Sequence, residues 1–220
     1  MGKLIVIEGL DGSGKSTQLD LLPQNLQRNN IDCRTVSFPA YDSNSSALIK
    51  MYLNGEFGTN PSDVNAFAAS AFYAVDRFAS FKTDWGKFYN DGGTVIAGRY
   101  VTSNAVHQTS KLPKVQWETF LNWLYDFEYN KIGIPAPDKV IFLDMPVEVS
   151  QKLLTGRYHG DEGKKDIHEK DKDYLARCRE SAVFTARHSG WTIIPCAKDG
   201  EARSIEDIAK DVLDEVLSIF

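Results

Sequence analysis

The sequence predicts a three-layer α/β fold, a five-stranded parallel sheet with helices on both faces, in a single domain over 1–220. Three observations carry this. Short apolar, β-branched runs alternate with amphipathic stretches. The first run closes on a glycine-rich turn that opens a helix. No repeat, low-complexity tract or Pro/Gly/Ser-rich linker divides the 220 residues, a length that suits one substantial domain. Strands separated by helices require right-handed crossovers and a sheet covered on both faces. Such sheets bind ligands at the carboxyl ends of their strands.

The elements follow in order. Residues 3–8 form a buried strand ended by Gly9. Leu19, Leu22 and Leu26 then fall at helical spacing, with Pro23 expected to kink that helix. A second strand covers 34–38 and stops at Pro39. Val64, Phe67, Ala71, Val75 and Phe78 mark a long helix over 62–89. Gly92 and Gly93 turn into a third strand at 94–97. Trp117, Phe120, Leu121, Leu124 and Phe127 define another amphipathic helix, followed by strands at 139–143 and 191–195. The last helix opens on Ser204 with Asp207 three residues on, a capping-box pattern, and carries Ile208, Val212 and Val216 on one face.

Composition narrows the function classes. Hydrophobic residues make up 42% and charged residues 25%, and the formal net charge is -5. The chain has no global attraction to nucleic acid or to an anionic membrane, so any phosphate recognition must be local. Cys33, Cys178 and Cys196 are too widely spaced for a zinc site or a disulfide framework, which fits a reducing cytoplasm. The apolar run at Leu4 to Ile7 breaks at Glu8, too early for a signal peptide or a membrane span.

The chemistry begins at Gly9-Leu10-Asp11-Gly12-Ser13-Gly14-Lys15-Ser16, which matches G-x-x-x-x-G-K-[ST] between a strand and a helix. Glycines let successive backbone N–H groups converge on phosphate oxygens, and the helix N-terminus adds positive potential. Lys15 reaches the β and γ oxygens, and the Ser16 hydroxyl is a Mg²⁺ ligand in such loops. The expected ATP-binding set is Gly9, Asp11, Gly12, Ser13, Gly14, Lys15, Ser16 and Thr17. No Asn-Lys-x-Asp run and no strand ending in DxxG is present, so a GTPase switch is disfavoured against a small kinase.

Glu8-Gly9-Leu10-Asp11-Gly12-Ser13-Gly14-Lys15-Ser16-Thr17-Gln18 resembles the phosphate loop of thymidylate kinases, and the resemblance extends over essentially the whole chain. It runs through Phe38-Pro39, Tyr73 with Arg77, Gly98-Arg99-Tyr100, Ser103 with Gln108, Pro137-Asp138, Leu143-Asp144 and a charged segment at 157–169. It implies that Asp11 lies near the acceptor's sugar and its phosphate-binding arginine. Phe38 and Tyr73 are implied as wall and stacking partner of the base. Spacing supports Tyr73 over Phe72, since Tyr73 and Arg77 share a helix face. Arg77 and Arg99 are expected to hold the acceptor phosphate, because a planar guanidinium takes two phosphate oxygens at once. Ser103, His107 and Gln108 are expected to complete the acceptor site.

Three positions depart from the family pattern. Ala40 and Tyr41 follow Phe38-Pro39 where relatives often carry an arginine. Gly98 replaces the usual aspartate before Arg99, with Glu8 or Asp11 as candidate substitutes, and the change Gly98→Asp is expected to raise turnover. His107 stands where a tyrosine is common near the deoxyribose. The polar, glycine-containing stretch at about 156–168 reads as a lid that closes over ATP and excludes water. With glycine at position 12, that lid has to supply the transfer cation, from Arg157, Lys164 or Lys165, with Arg157 preferred as a guanidinium.

The resemblance therefore implies in-line transfer of the ATP γ-phosphoryl group to dTMP, with Lys15, Arg99 and Arg157 as catalytic residues and Mg²⁺ as cofactor. The alternatives are a kinase of another pyrimidine nucleotide or a deoxynucleoside, or a nucleotide-binding homologue with weakened catalysis, a view that Gly98 favours. A homodimer through apolar helix faces is expected by analogy.

Overall fold

The computed structural model describes residues 2–58, 60, 63–157 and 172–220. Its main sheet contains β1 (Lys3–Gly9), β2 (Cys33–Ser37), β3 (Thr94–Gly98), β4 (Lys139–Asp144) and β5 (Thr192–Pro195). All neighbours are parallel, in the order β2-β3-β1-β4-β5. Each expected strand lies within two residues of its observed bounds. A short antiparallel pair, β6 (Ala197–Lys198) and β7 (Glu201–Ala202), follows β5 and was not anticipated.

The helices are α1 (Lys15–Arg28), α2 (Ala47–Leu53), α3 (Ala66–Ser80), α4 (Gly86–Asn90), α5 (Val101–His107), α6 (Trp117–Tyr125), α7 (Val147–Arg157), α8 (Lys172–His188) and α9 (Ile205–Leu217). Strand alternation sends side chains to two cores. Leu4, Val6, Val95 and Ala97 pack with Trp85, Phe120 and Leu124 on one face. Ile5, Ile7, Ile96 and Ile141 pack with Leu22, Leu26, Val212 and Val216 of α1 and α9 on the other. Each such aliphatic side chain contributes about 1.5–3 kcal/mol by leaving water. The Ser204 cap forms as expected, its hydroxyl accepting from Asp207 N at 3.1 Å. Pro23 lies inside a continuous α1 and does not divide it.

The long helix expected over 62–89 is corrected in two ways. It begins at Ala66, where the Asn65 side chain accepts from Ala68 N at 2.9 Å, and a π turn at Phe81–Trp85 separates it from α4. Its apolar stripe also faces outward. Phe67, Val75 and Phe78 are exposed, whereas Ala66, Ala69, Ser70, Ala74, Asp76 and Arg77 are buried. Alanines let α3 approach closely, and its inward face delivers polar groups to the site. A second π turn, Asp126–Ile132, continues α6 and buries Glu128 opposite α3.

Candidate active site

The loop from Gly9 to Ser16 joins β1 to α1 at the carboxyl edge of the sheet. Gly14 is the N-cap of α1 at φ 84°, a backbone that glycine adopts without steric cost. No side chain caps this helix end, so its first N–H groups are available to an anion. Gly12, also left-handed at φ 76°, packs so closely on α7 that a Cβ would sit 3.0 Å from Ser150 Cβ and its carbonyl. Lys15 donates to Gly9 O at 2.7 Å. Burial, and then Arg99, push its ammonium down to about 8, against the pull of Glu8 and Asp11. The pH dependence follows from this value. The ratio kcat/KM for ATP, which reports groups of the free enzyme, is expected to fall above pH 8 by up to about tenfold per pH unit. Steady-state rates across the alkaline range test this, and a flat profile would refute the assignment.

Beside the cradle opens a cavity of about 320 Å³. All eight residues expected to bind the acceptor line it: Asp11, Phe38, Tyr73, Arg77, Arg99, Ser103, His107 and Gln108. Phe38 stands against Tyr100, with ring centroids 5.9 Å apart. Tyr73 faces the cavity, whereas Phe72 packs on Tyr52 and Phe57, as the spacing to Arg77 anticipated. The Gln108 Oε1 is buried and has no hydrogen-bond partner among the described residues.

Arg99 lies at the start of this cavity with φ 66°, a left-handed backbone that is strained for a side-chain-bearing residue. Its guanidinium reaches Asp11 Oδ1 at 3.3 Å and His107 Nε2 at 3.4 Å. Glu8 is fully engaged beneath it, accepting from Gly9 N at 3.0 Å and from the Thr102 and Ser103 hydroxyls at 2.8 Å each. Burial alone would raise the Glu8 pKa. Lys15 and Arg99, then the Ser103 and Gly9 hydrogen bonds, outweigh burial and hold it below the usual range.

Arg77 is corrected. It lines the cavity, yet it is 1% exposed and donates to both Glu128 oxygens at 2.7 and 2.5 Å and to Tyr100 O at 3.2 Å. Its charge is neutralised before any ligand arrives, whereas the Arg99 side chain is about one-third exposed to the cavity. Glu128 was missed by sequence reading, as was Asn104, which donates to Glu128 at 3.2 Å. A carboxylate on an amphipathic stretch carries no mark of burial. Lys111 also lines the cavity, donating to the Tyr52 hydroxyl at 2.8 Å. Burial lowers its ammonium to about 8. Two aspartates of the motif set have structural partners instead: Asp138 accepts from Leu4 N at 2.8 Å, and Asp144 takes two bonds from Arg179 at 2.8 Å each.

Gly98 has a definite neighbour. A Cβ there would lie 2.5 Å from Leu19 Cδ1, the mobile end of a side chain. Leu19 is half-buried and its Cδ1 can swing aside, so the steric cost of Gly98→Asp is expected to be small. Any gain in turnover is read in Gly98→Asp/Leu19→Ala against Leu19→Ala alone. Thermal unfolding of both pairs checks this, and a Gly98→Asp midpoint clearly lowered and restored by Leu19→Ala would show that Leu19 cannot give way. The expected lid at 156–168, with Lys164 and Lys165, lies outside the described residues apart from the end of α7, and so does the Arg157 side chain.

A glycine-lined anion cradle at the head of a parallel sheet, with a second, mixed polar and apolar cavity beside it, defines a class: P-loop kinases, which bring a nucleoside triphosphate and a small acceptor together. Within that class the chain belongs to the thymidylate kinase family, whose family model matches residues 7–208. It is 31% identical over 176 residues to the thymidylate kinase of Mycobacterium tuberculosis (strain ATCC 25618 / H37Rv), covering 79% of this chain and 81% of that one. It is 28% identical over 221 residues to the thymidylate kinase of Plasmodium falciparum (isolate 3D7), covering 99% and 91%. A solved thymidylate kinase from Candida albicans matches with a TM-score of 0.72 at 22% identity, over 99% of this chain and 92% of that one, and supports the fold.

Proposed function

We propose that this chain, as one kinase domain over 1–220, transfers the γ-phosphoryl group of ATP to dTMP, giving dTDP and ADP. One juxtaposition carries the reading: Asp11, within the cradle, lies 3.3 Å from Arg99 on a cavity of about 320 Å³, a size that suits a small ligand. Lys15 and the backbone N–H groups hold the ATP phosphates, and Arg99 holds the acceptor phosphate facing them. Arg77, already paired, belongs to the floor of the base site rather than to the phosphate. Phe38 and Tyr73 flank a pyrimidine ring, and the Gln108 Oε1 offers an acceptor to its ring N–H. The acceptor phosphate is ionised at neutral pH, so transfer through a loose transition state needs positioning and charge neutralisation rather than a strong base. Arg157, the last residue of α7, remains the proposed transfer cation.

Magnesium fits the same loop. The Ser16 hydroxyl is exposed on the first turn of α1 and uncommitted among the described residues. Those residues hold no cluster of three or more His, Cys, Asp or Glu able to cage a metal, as suits an ion held mostly by phosphate and water. Once bound, such an ion would neutralise negative charge on the phosphate oxygens during transfer.

We place the protein in the cytoplasm, as a homodimer. Thiols at Cys33, Cys178 and Cys196 suit a reducing compartment, and among the described residues no helix is long and apolar enough to cross a membrane. The exposed Phe67, Val75 and Phe78 of α3 supply an apolar face for a second copy, continued by Trp123, whose ring lies 4.6 Å from Phe67. The function is tested by ADP release from Mg-ATP with a panel of nucleoside monophosphates and unphosphorylated nucleosides. The highest kcat/KM is expected for dTMP; faster turnover of thymidine, or no transfer to any pyrimidine nucleotide, would overturn it.

A further inference from the structure

His107 is half-buried in the wall of the acceptor cavity, between two groups that decide where its proton sits. Its Nε2 lies 3.4 Å from a guanidinium nitrogen of Arg99. Arginine has only donors, so this contact is a hydrogen bond only when Nε2 is bare and accepts. The ring is neutral: burial, then the adjacent Arg99 charge, lower its pKa to about 4. The single ring proton therefore belongs on Nδ1, and Nδ1 lies 3.9 Å from the Sγ of Cys178.

The protons around the thiol agree with this direction. The Cys178 S–H points to Ser110 Oγ at 3.5 Å, and Ser110 Oγ–H donates to His107 O at 2.8 Å. In the contact with the ring, the sulfur is the acceptor and Nδ1–H the donor. On the other side of the ring, Arg99 also donates to Asp11 of the cradle at 3.3 Å. One consistent chain thus runs from Asp11 through Arg99 and His107 to Cys178, with one donor and one acceptor at every link. Cys178 is 0% exposed and lines the acceptor cavity, and it stands on α8.

We propose that Cys178 is a positioning residue for phosphoryl transfer: by accepting from His107 Nδ1–H it fixes the imidazole tautomer whose bare Nε2 holds Arg99 toward the acceptor phosphate. The part of this concerning turnover rests on the dTMP kinase reading. The tautomer does not. The cysteine touches no reacting atom and acts through His107. Neutrality of the ring matters equally, since an imidazolium would turn two donors toward one another and repel Arg99.

The test is nitrogen NMR of histidine-labelled protein, with His107→Phe assigning the signal, alongside steady-state kinetics. Wild-type protein is expected to show His107 protonated at Nδ1 and bare at Nε2. Cys178→Ala is expected to mix the tautomers and raise KM for dTMP about three- to tenfold, the loss of one modest hydrogen bond, with kcat little changed. Cys178→Ser keeps an acceptor at the same place and is expected to restore both signatures. In His107→Phe, adding Cys178→Ala should change KM no further. A proton found on Nε2 in the wild type, or a Cys178→Ala variant with unaltered tautomer and KM, would overturn the proposal. A wild-type enzyme that leaves dTMP untouched would sink the kinase reading instead, and the tautomer measurement would still decide the hydrogen-bond chain.

Discussion

Arg99→Ala is expected to lower kcat/KM for dTMP by about 10²–10³-fold, the usual cost of deleting one preorganised donor that meets developing charge. The physical reason is that Arg77 offers no reserve, its guanidinium being bound to Glu128. Arg99→Lys recovers only part of the loss, because an ammonium cannot reach Asp11, His107 and a phosphate from one planar fork. Arg99→Gly separates activity from folding. It releases the left-handed backbone at φ 66° and is expected to gain about 1 kcal/mol of stability while losing transfer. Kinetics and thermal unfolding of the three variants provide the check. Arg99→Ala retaining activity within a few-fold of wild type would show that another cation holds the acceptor.

Glu128→Ala is expected to destabilise the fold by about 3–5 kcal/mol. Arg77 and Glu128 have side-chain exposures of 2% and 0%, so deleting the carboxylate leaves a buried cation without a counter-ion. Burial alone would depress the Arg77 pKa; the Glu128 charge and hydrogen bonds outweigh it and raise it. Asn104 would lose a partner in the same step. Glu128→Ala/Arg77→Met should recover much of the stability, since a packed apolar pair needs no charge compensation. Denaturant unfolding measures both. A loss below about 1 kcal/mol in the single variant would mean that water reaches Arg77 readily.

Much of this molecule was legible before its coordinates. The five strands announced themselves through β-branched runs, and the phosphate loop through spacing that few other turns need. Both depend on local chemistry. The failures share a different origin. The stripe Phe67, Val75, Phe78 reads as core by period alone, yet the inward face of α3 is alanine with Tyr73, Asp76 and Arg77. Periodicity says that a helix has two faces, not which one meets the sheet. Arg77 looked like a phosphate clamp because Glu128 lies 51 residues away and only a π turn brings it opposite. Asp76 was invisible for the same reason: it holds the loop after Pro39 by accepting from Ala40 N at 2.8 Å. Cys178 gave no signal at all, since its meaning comes from His107 across the cavity. Site residues that touch ligand follow motifs, whereas the partners that orient them are chosen by tertiary contact.

The position of β1 has a temporal consequence. It precedes the other strands of this sheet along the chain, yet it ends up in the middle of the sheet, with Ile5 beside Ile96 on one side and Lys139 on the other. Its ladder partners leave the ribosome long after it does, and contacts so distant in sequence close slowly. The cradle that β1 carries is thus written first and assembled late. A nascent chain that stops before Lys139 lacks the β4 flank of that strand, so nucleotide capture marks the completion of the sheet rather than its beginning.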